Sequence, residues 1–146
     1  MNLYLKTLAG LEALAEEELK RAGANNIVPG RRGLSFEGDA KVLYTICMHS
    51  RFAVRVLRHL TSFEAKTPDD LYRMGARFAW ENLLAPDGSF VIDATVHSDG
   101  FSHSHFAALK LKDAIVDRFR GKTGQRPSID KVRPDIRLNL HISGKR

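Results

Sequence analysis

The order of hydrophobic patterns in the first 65 residues constrains the fold of this chain more than any other feature. Apolar and polar residues alternate over 2–8, and apolar residues recur at helical spacing over 9–24, which predicts a strand and then a helix. Segment 25–39 holds glycines and a proline between short apolar runs, and it predicts two strands. A second helix over 40–51 and an alternating strand over 52–65 complete the pattern.

Strand, helix, strand, strand, helix, strand within one short stretch is the split βαβ, or ferredoxin-like, arrangement. Gly23 is placed to end the first helix, and Asp39 is placed to cap the start of the second. Cys47, the single cysteine of the sequence, lies on the apolar side of the second helix, so we expect it in the core. The sequence therefore predicts a ferredoxin-like module over 1–65.

The rest of the chain, 66–146, predicts a second module of helices and strands. Its elements are expected as a helix at 67–84, a strand at 88–98, a helix at 104–121 and a strand at 136–144. Thr67 before Pro68 is a strong helix start, and 121–135 is expected to be a loop because it is rich in glycine, proline and charge. The predicted fold class is α+β, with a ferredoxin-like module followed by an α/β module.

Positive charge is concentrated in the last quarter of the chain. The formal net charge is +6. Residues 1–60 hold nine Lys and Arg against six Asp and Glu (net +3), and 61–109 hold three against seven (net −4). Residues 110–146 hold eleven against four, a net charge of +7. This distribution favours an anionic partner such as a nucleic acid, although a solvated basic surface would have the same composition.

The chain shows no sign of a membrane or secretory protein. Its first residues lack the basic-then-apolar pattern of a signal peptide, and no apolar run is long enough to cross a bilayer. We expect a soluble cytoplasmic protein without a membrane partner.

Three histidines, His97, His103 and His105, raise the question of a metal site or a catalytic base. His103 and His105 lie two residues apart where the chain enters a helix, and this spacing does not bring the rings together. No serine or cysteine lies in a nucleophile elbow. We therefore predict no metal ligands and no catalytic residues, and a small histidine-based enzyme is the less favoured alternative.

The start of the predicted helix at 104 suits a phosphate better than a metal. Ser102 or Ser104 can cap the helix beside His103, where backbone N–H groups and the positive end of the helix dipole attract an anion. Lys112 falls within an apolar stripe that includes Ala108 and Leu111, so it has to reach an edge or a cleft. Lys110 lies on the outer face, where an ordinary pair with Asp113 or Asp117 would explain it.

Further cations follow this helix start and alternate with Gly, Pro and Ser, a composition that suits phosphate contacts without base readout. The candidate RNA-binding residues are Ser102, His103, Ser104, Lys112, Arg118, Lys122, Arg126, Lys131, Arg133 and Arg137. Arg137 alternates with Leu138 on the last strand and is expected to point away from the core.

Several stretches together carry a family likeness. They are "HS.F" at 103–106, "KDAIVDRFR" at 112–120, "TG.RPS.D" at 123–130 and "PDIRLNLH" at 134–141. With the rest of 90–144 they closely resemble the THUMP domain of bacterial large-subunit ribosomal RNA guanine-N2-methyltransferases. The stretches "KTLAGLEALAEEELKRAGA" (6–24) and "GLSFEGD" (33–39) resemble the ferredoxin-like domain that precedes THUMP in these enzymes.

The resemblance implies an RNA-binding region that captures structured RNA, ribosomal RNA above all, for a catalytic domain downstream in the same polypeptide. It also implies S-adenosylmethionine as the cofactor of that catalytic domain. A glycine-rich cofactor loop and an Asn/Asp-Pro-Pro-aromatic tetrapeptide are both missing from this sequence. We therefore expect an N-terminal fragment that has no cofactor and no methyltransferase activity by itself.

Two alternatives remain beside the histidine-based enzyme. THUMP domains also occur in tRNA methyltransferases and tRNA sulfur-insertion enzymes, so a tRNA-modifying enzyme is a second possibility. A protein-interaction module with an incidental basic face is a third.

Overall fold

The computed structural model describes residues 1–101 and 103–144, and the chain divides into two compact units. Unit 1 is Met1–Leu60, and unit 2 begins at Thr61. The predicted α+β class, with a ferredoxin-like first module, is confirmed. In the part of the chain that is described, no helix is long and apolar enough to cross a membrane.

Unit 1 contains four strands and two helices in the predicted order. They are β1 (Asn2–Lys6), α1 (Glu12–Arg21), β2 (Asn25–Gly30), β3 (Gly33–Glu37), α2 (Ala40–His49) and β4 (Arg55–Arg58). The sheet order is β2-β3-β1-β4, and each neighbouring pair is antiparallel. Strand β3 therefore lies between β1 and β2, and β1 lies between β3 and β4, as the split βαβ arrangement requires.

The core of unit 1 lies between the sheet and both helices. Leu3 and Leu5 of β1 pack with Leu19 of α1 and with Val42 and Ile46 of α2. Alternate strand residues point to this side because successive side chains in a strand point to opposite faces. Both helices thus cover the same face of the sheet.

Local signals placed both helices of unit 1 correctly, but the Cys47 prediction is wrong. The Asp39 carboxylate accepts a hydrogen bond from the Val42 N–H at 2.9 Å, as an N-cap should, and Gly23 follows α1 with a positive φ of 86°. Cys47 is exposed. Ile46 is the buried residue of that turn, and Cys47 lies about 100° further round the helix, outside the sheet-facing stripe. The last strand is also shorter than the predicted 52–65.

Unit 2 contains helices α3 (Pro68–Arg77) and α4 (Ser104–Thr123) and a parallel sheet. Its strands are β5 (Ser89–His97), β6 (Ser128–Ile129) and β7 (Ile136–Ser143), with β5 in the centre. The predicted helix over 67–84 is wrong beyond Arg77, because Phe78 takes an extended conformation and only a 3-10 turn, Trp80–Asn82, follows. The short strand β6 lies within 121–135, a segment that the sequence predicts as a loop.

The two helices of unit 2 pack closely through a glycine. A Cβ at Gly75 of α3 would lie 2.7 Å from Leu111 Cδ1 and 3.4 Å from Ala114 Cβ on α4. The indole Nε1 of Trp80 donates to the Gly75 carbonyl at 2.7 Å and fixes the chain after α3. The buried stripe of α4 contains Ala107 rather than the predicted Ala108, which is half-buried.

Candidate nucleic-acid interface

Helix α4 separates the predicted RNA-binding residues into two groups. Strand β5 ends at His97 and α4 runs back along the sheet from Ser104, since β6 and β7 both pair in parallel with β5. Twenty helical residues span about 30 Å. His103 and Ser104 therefore lie at one end of the helix, and Lys122 with the residues beyond it lies at the other. The structure does not bring the two groups together.

Helix α4 starts without a cap from Ser104. His103 is the N-cap residue, and its own side chain accepts no hydrogen bond from the first turn. The prediction that Ser104 caps the helix is wrong because Ser104 is itself the first helical residue. Ser102 lies outside the described residues. His103 and Ser104 are exposed and line a shallow open depression beside Ala94 and Phe101.

Arg118 is an internal support of unit 2 in this structure. Its Nε and Nη2 donate to the Glu81 carboxylate at 2.8 and 2.7 Å, and Nη1 donates to the carbonyl of Ala76 at 2.8 Å. These contacts join α4 to the last turn of α3, whose final carbonyls have no partner within the helix. Only 15% of the side chain is exposed. The guanidinium is therefore occupied by contacts within unit 2.

Glu81 also binds Lys122, the second predicted cation on this face. The Lys122 ammonium and Glu81 Oε1 form an ion pair, and 54% of the lysine side chain is exposed. The hydrogen bonds from Arg118 first, and then from Lys122, hold the Glu81 pKa well below its ordinary value. The carboxylate thus offsets part of the positive charge at this end of α4.

Lys112 and Arg137 each have an acidic neighbour. The Lys112 ammonium lies 2.7 Å from Asp113 Oδ1, so the lysine leaves the apolar stripe for its edge. Arg137 Nη1 lies 3.2 Å from Asp93 Oδ2 on the adjacent strand. Arg137 is exposed and Leu138 is buried, which confirms the predicted direction of the arginine. Lys110 pairs with Asp69 at 3.3 Å, so the predicted pairing with Asp113 or Asp117 is wrong.

Three predicted cations, Arg126, Lys131 and Arg133, lie exposed on segment 125–135. Among the residues that the structure describes, none of the three has an acidic partner within 4.0 Å. Buried Pro127 anchors this segment, and its β6 residues pair with the start of β5. We call the segment 125–135 the basic loop.

Two aspartates that sequence reasoning did not select give the basic loop its shape. Asp130 Oδ1 accepts hydrogen bonds from the backbone N–H of Val132 at 2.8 Å and of Arg133 at 3.0 Å. These bonds, the one from Arg133 first, lower the Asp130 pKa. Asp135 accepts from Ser89 N–H at 2.8 Å, which ties the loop's end to β5. An Asp followed by a two-residue turn is the local signal that would have identified the Asp130 turn.

The histidines do not form a metal site. His97 and His141 lie on neighbouring strands with ring centroids 6.0 Å apart. In residues 1–101 and 103–144 there is no group of three or more His, Cys, Asp and Glu side chains placed to hold a metal ion.

Comparisons with known proteins match each part of the chain to a domain family. The profile of the THUMP domain matches residues 65–146, and that of the RlmL ferredoxin-like domain matches residues 2–57. Ribosomal RNA large subunit methyltransferase K/L from Syntrophotalea carbinolica is 47% identical over 91% of this chain. The protein of the same name from Magnetococcus marinus is 41% identical over 99% of this chain. The chain spans only 19% and 20% of these two relatives.

A solved structure shares the fold. The crystal structure titled as a predicted N6-adenine-specific DNA methylase from Listeria monocytogenes has a TM-score of 0.82 and 24% sequence identity. The match covers 97% of this chain and 37% of that chain. The profile match and the relatives together show that the chain belongs to the THUMP domain family and is homologous to part of ribosomal RNA large subunit methyltransferase K/L.

Proposed function

We propose that this chain binds structured RNA through the basic loop, as the RNA-capturing region of a ribosomal RNA methyltransferase in the cytoplasm. The observation that carries the proposal is the loop itself, where Arg126, Lys131 and Arg133 are exposed and have no acidic partner among the described residues. Such cations are available to phosphates, whereas Arg118 is held by the fold.

The basic loop is also shaped before any ligand binds. The Asp130 turn and the Asp135–Ser89 contact hold the backbone between two parallel strands, so little ordering accompanies binding. Contacts from such a surface to phosphates position an RNA without reading its bases. We therefore expect affinity for structured RNA to depend on backbone charge, with target choice set by other parts of the enzyme.

Lys122 and Arg137 are secondary candidates in this proposal. Both are substantially exposed, but each already faces a carboxylate, from Glu81 and Asp93 respectively. A phosphate has to compete with that carboxylate. The α4 start at His103 and Ser104 lies about 30 Å from the loop, so it contacts the same RNA only if the RNA runs the length of the helix.

We place the methyl donor, S-adenosylmethionine, in a catalytic domain further along the polypeptide. The connection from β5 to α4 is the turn of unit 2 where a nucleotide loop would be expected. Its one glycine, Gly100, is packed so closely on the Lys66 carbonyl that a Cβ would collide with it. The glycine therefore serves chain packing rather than the close approach of a ligand, which supports a cofactor site outside this turn. In this proposal the catalytic domain also determines which guanine is modified and where it lies in the RNA.

A charge-matched pair of variants tests the proposal. The triple variant Arg126→Gln, Lys131→Gln, Arg133→Gln removes the cations of the basic loop. We expect its affinity for transcribed large-subunit rRNA, measured by filter binding, to fall by about tenfold or more, because three phosphate contacts are lost.

The control variant, Arg21→Gln, Lys41→Gln, Arg51→Gln, removes the same net charge from exposed positions in unit 1. It should bind within about twofold to threefold of the parent, since only the long-range field changes. Equal losses in both variants would refute a role for the loop. Tighter binding of tRNA than of rRNA by the parent would favour a tRNA-modifying enzyme.

A further inference from the structure

The four-stranded sheet of unit 1 has an open face opposite its helices. Both α1 and α2 pack on the side of Leu3 and Leu5, so the intervening residues of β1, Tyr4 and Lys6, point to the other side. The strand register adds Ser35, the partner of Tyr4 on β3, to this face. Two apolar residues join it, Val28 on β2 and Leu57 on β4. We call this set the sheet face.

Tyr4 lies across the centre of the sheet face. A Cβ at Gly33 of β3 would collide with the hydroxyl end of the Tyr4 side chain. The ring therefore extends from β1 over the neighbouring strand, and it can do so because residue 33 is glycine. Tyr4 stays half-buried, and Val28 is 61% exposed beside it. This aromatic side chain thus lies over Gly33 of the neighbouring strand and remains partly accessible to solvent.

Charge distinguishes the sheet face from the helix side of unit 1. Lys6 of β1 and Arg55, its register partner on β4, lie on the sheet face, with Glu37, the register partner of Asn2, as the acid of these strands. The Glu37 carboxylate already accepts a hydrogen bond from Asn26 at 3.0 Å. Helix α1 on the opposite side carries four acids, Glu12, Glu16, Glu17 and Glu18, against two cations, Lys20 and Arg21, which pair with Glu16 and Glu17. The sheet side is therefore the one that attracts a polyanion.

We propose that the sheet face binds unpaired RNA nucleotides, with one base stacked on Tyr4 and Lys6 at an adjacent phosphate. An aromatic ring on the central strands of a four-stranded sheet is a platform on which bases stack, and stacking tolerates any base. Lys6 lies on the same face of β1, two positions from Tyr4, and this cation favours an RNA over an apolar protein partner. The proposal rests on the proposed function, since it adds a second contact to an RNA-binding chain.

The test compares Tyr4→Leu with Tyr44→Leu. Tyr44 is the matched control because it is 65% exposed on α2, on the opposite side of unit 1. The probe is a fluorescein-labelled single-stranded oligoadenylate of twelve nucleotides, beside an abasic ribose-phosphate oligomer of the same length. We expect Tyr4→Leu to bind oligoadenylate about 5- to 100-fold more weakly than the parent, with less than about twofold change for the abasic oligomer. Tyr44→Leu should match the parent with both probes.

Two further measurements keep the test decisive if Tyr4→Leu folds poorly. Tyr4→Phe keeps the ring and should bind oligoadenylate like the parent. The parent itself should bind oligoadenylate at least about fivefold more tightly than the abasic oligomer, because the bases add stacking. Equal binding of the two oligomers by the parent, or equal binding of oligoadenylate by Tyr4→Leu and Tyr44→Leu, would overturn the proposal.

Failure of the sheet-face proposal can be distinguished from failure of the proposed function. If the sheet face has no role, the parent still binds rRNA and the basic-loop variant still loses affinity. If the parent does not bind rRNA at all, the proposed function fails as well.

Discussion

A substitution of Arg118 tests most clearly whether a basic residue of this chain stabilises the fold or contacts RNA. Replacing it with alanine removes the two hydrogen bonds to the Glu81 carboxylate and those from Nη1 to the carbonyls of Ala76 and Arg77. The last turn of α3 then loses the partner that α4 supplies. The change acts within unit 2 alone.

The size of the effect follows from these contacts. A hydrogen bond that involves a charged group contributes about 1.5–3 kcal/mol, and the contributions of one guanidinium are not additive. Water can reach part of the site once the arginine is gone, which limits the loss. We expect Arg118→Ala to lower the free energy of unfolding of unit 2 by about 2 kcal/mol. For a unit of this size that is a fall in Tm of roughly 8–16 °C.

Tryptophan fluorescence gives a reading specific to unit 2. Trp80 is the single tryptophan of the chain, it is buried, and it follows directly on α3. The control is Arg120→Ala, whose side chain is 58% exposed and lies 3.8 Å from Asp117. That pair should contribute less than about 0.5 kcal/mol. If Arg118→Ala melts with the parent but binds rRNA several-fold more weakly, the guanidinium contacts RNA and our reasoning is wrong.

Two more predictions concern packing and the basic loop. Gly75→Val should destabilise unit 2 by about 1–3 kcal/mol in the same fluorescence assay, because its Cβ would meet Leu111 and Ala114; an unchanged Tm would contradict this packing. Asp130 has a pKa lowered by the Arg133 N–H, so its carboxylate stabilises the fold above the ordinary pKa of 3.8 and loses this effect as pH falls through the lower folded value. The free energy of unfolding of Asp130→Ala, measured with urea, should therefore be lower than that of the parent at pH 6 and close to it at pH 3. An equal difference at both pH values would count against the turn.

Features with a local cause could be predicted from the sequence. Thr67 caps α3, and Asp70 returns the hydrogen bond to complete a capping box. Gly124 ends α4 in a left-handed conformation, at the position after a helix where glycine is favoured. The alternation of β7 placed Arg137 outside and Leu138 inside. Each of these outcomes depends on residues within a few positions, which periodicity and capping rules describe well.

Features that depend on distant partners could not be predicted. Arg118 and Arg133 look alike in the sequence, but Glu81 lies 37 residues before Arg118 and removes it from the exposed surface. Strand β6 is only two residues long and exists because the start of β5 offers it a parallel edge. Helix α4 also separates residues that lie close together in the sequence, His103 and Ser104 from Lys122. Basic residues can be counted from a sequence, but their availability to a ligand is decided by tertiary ion pairs.

The measurement that tests the central claim most directly is the salt dependence of rRNA binding by the parent and by the variant of Arg126, Lys131 and Arg133. Each phosphate contact adds about 0.7–0.9 to the slope of log affinity against log salt. Three lost contacts should therefore make the variant's slope shallower by about 2 to 3, so that parent and variant converge at high salt. If both proteins have the same slope, the three cations of the basic loop do not contact RNA phosphates and the account is contradicted.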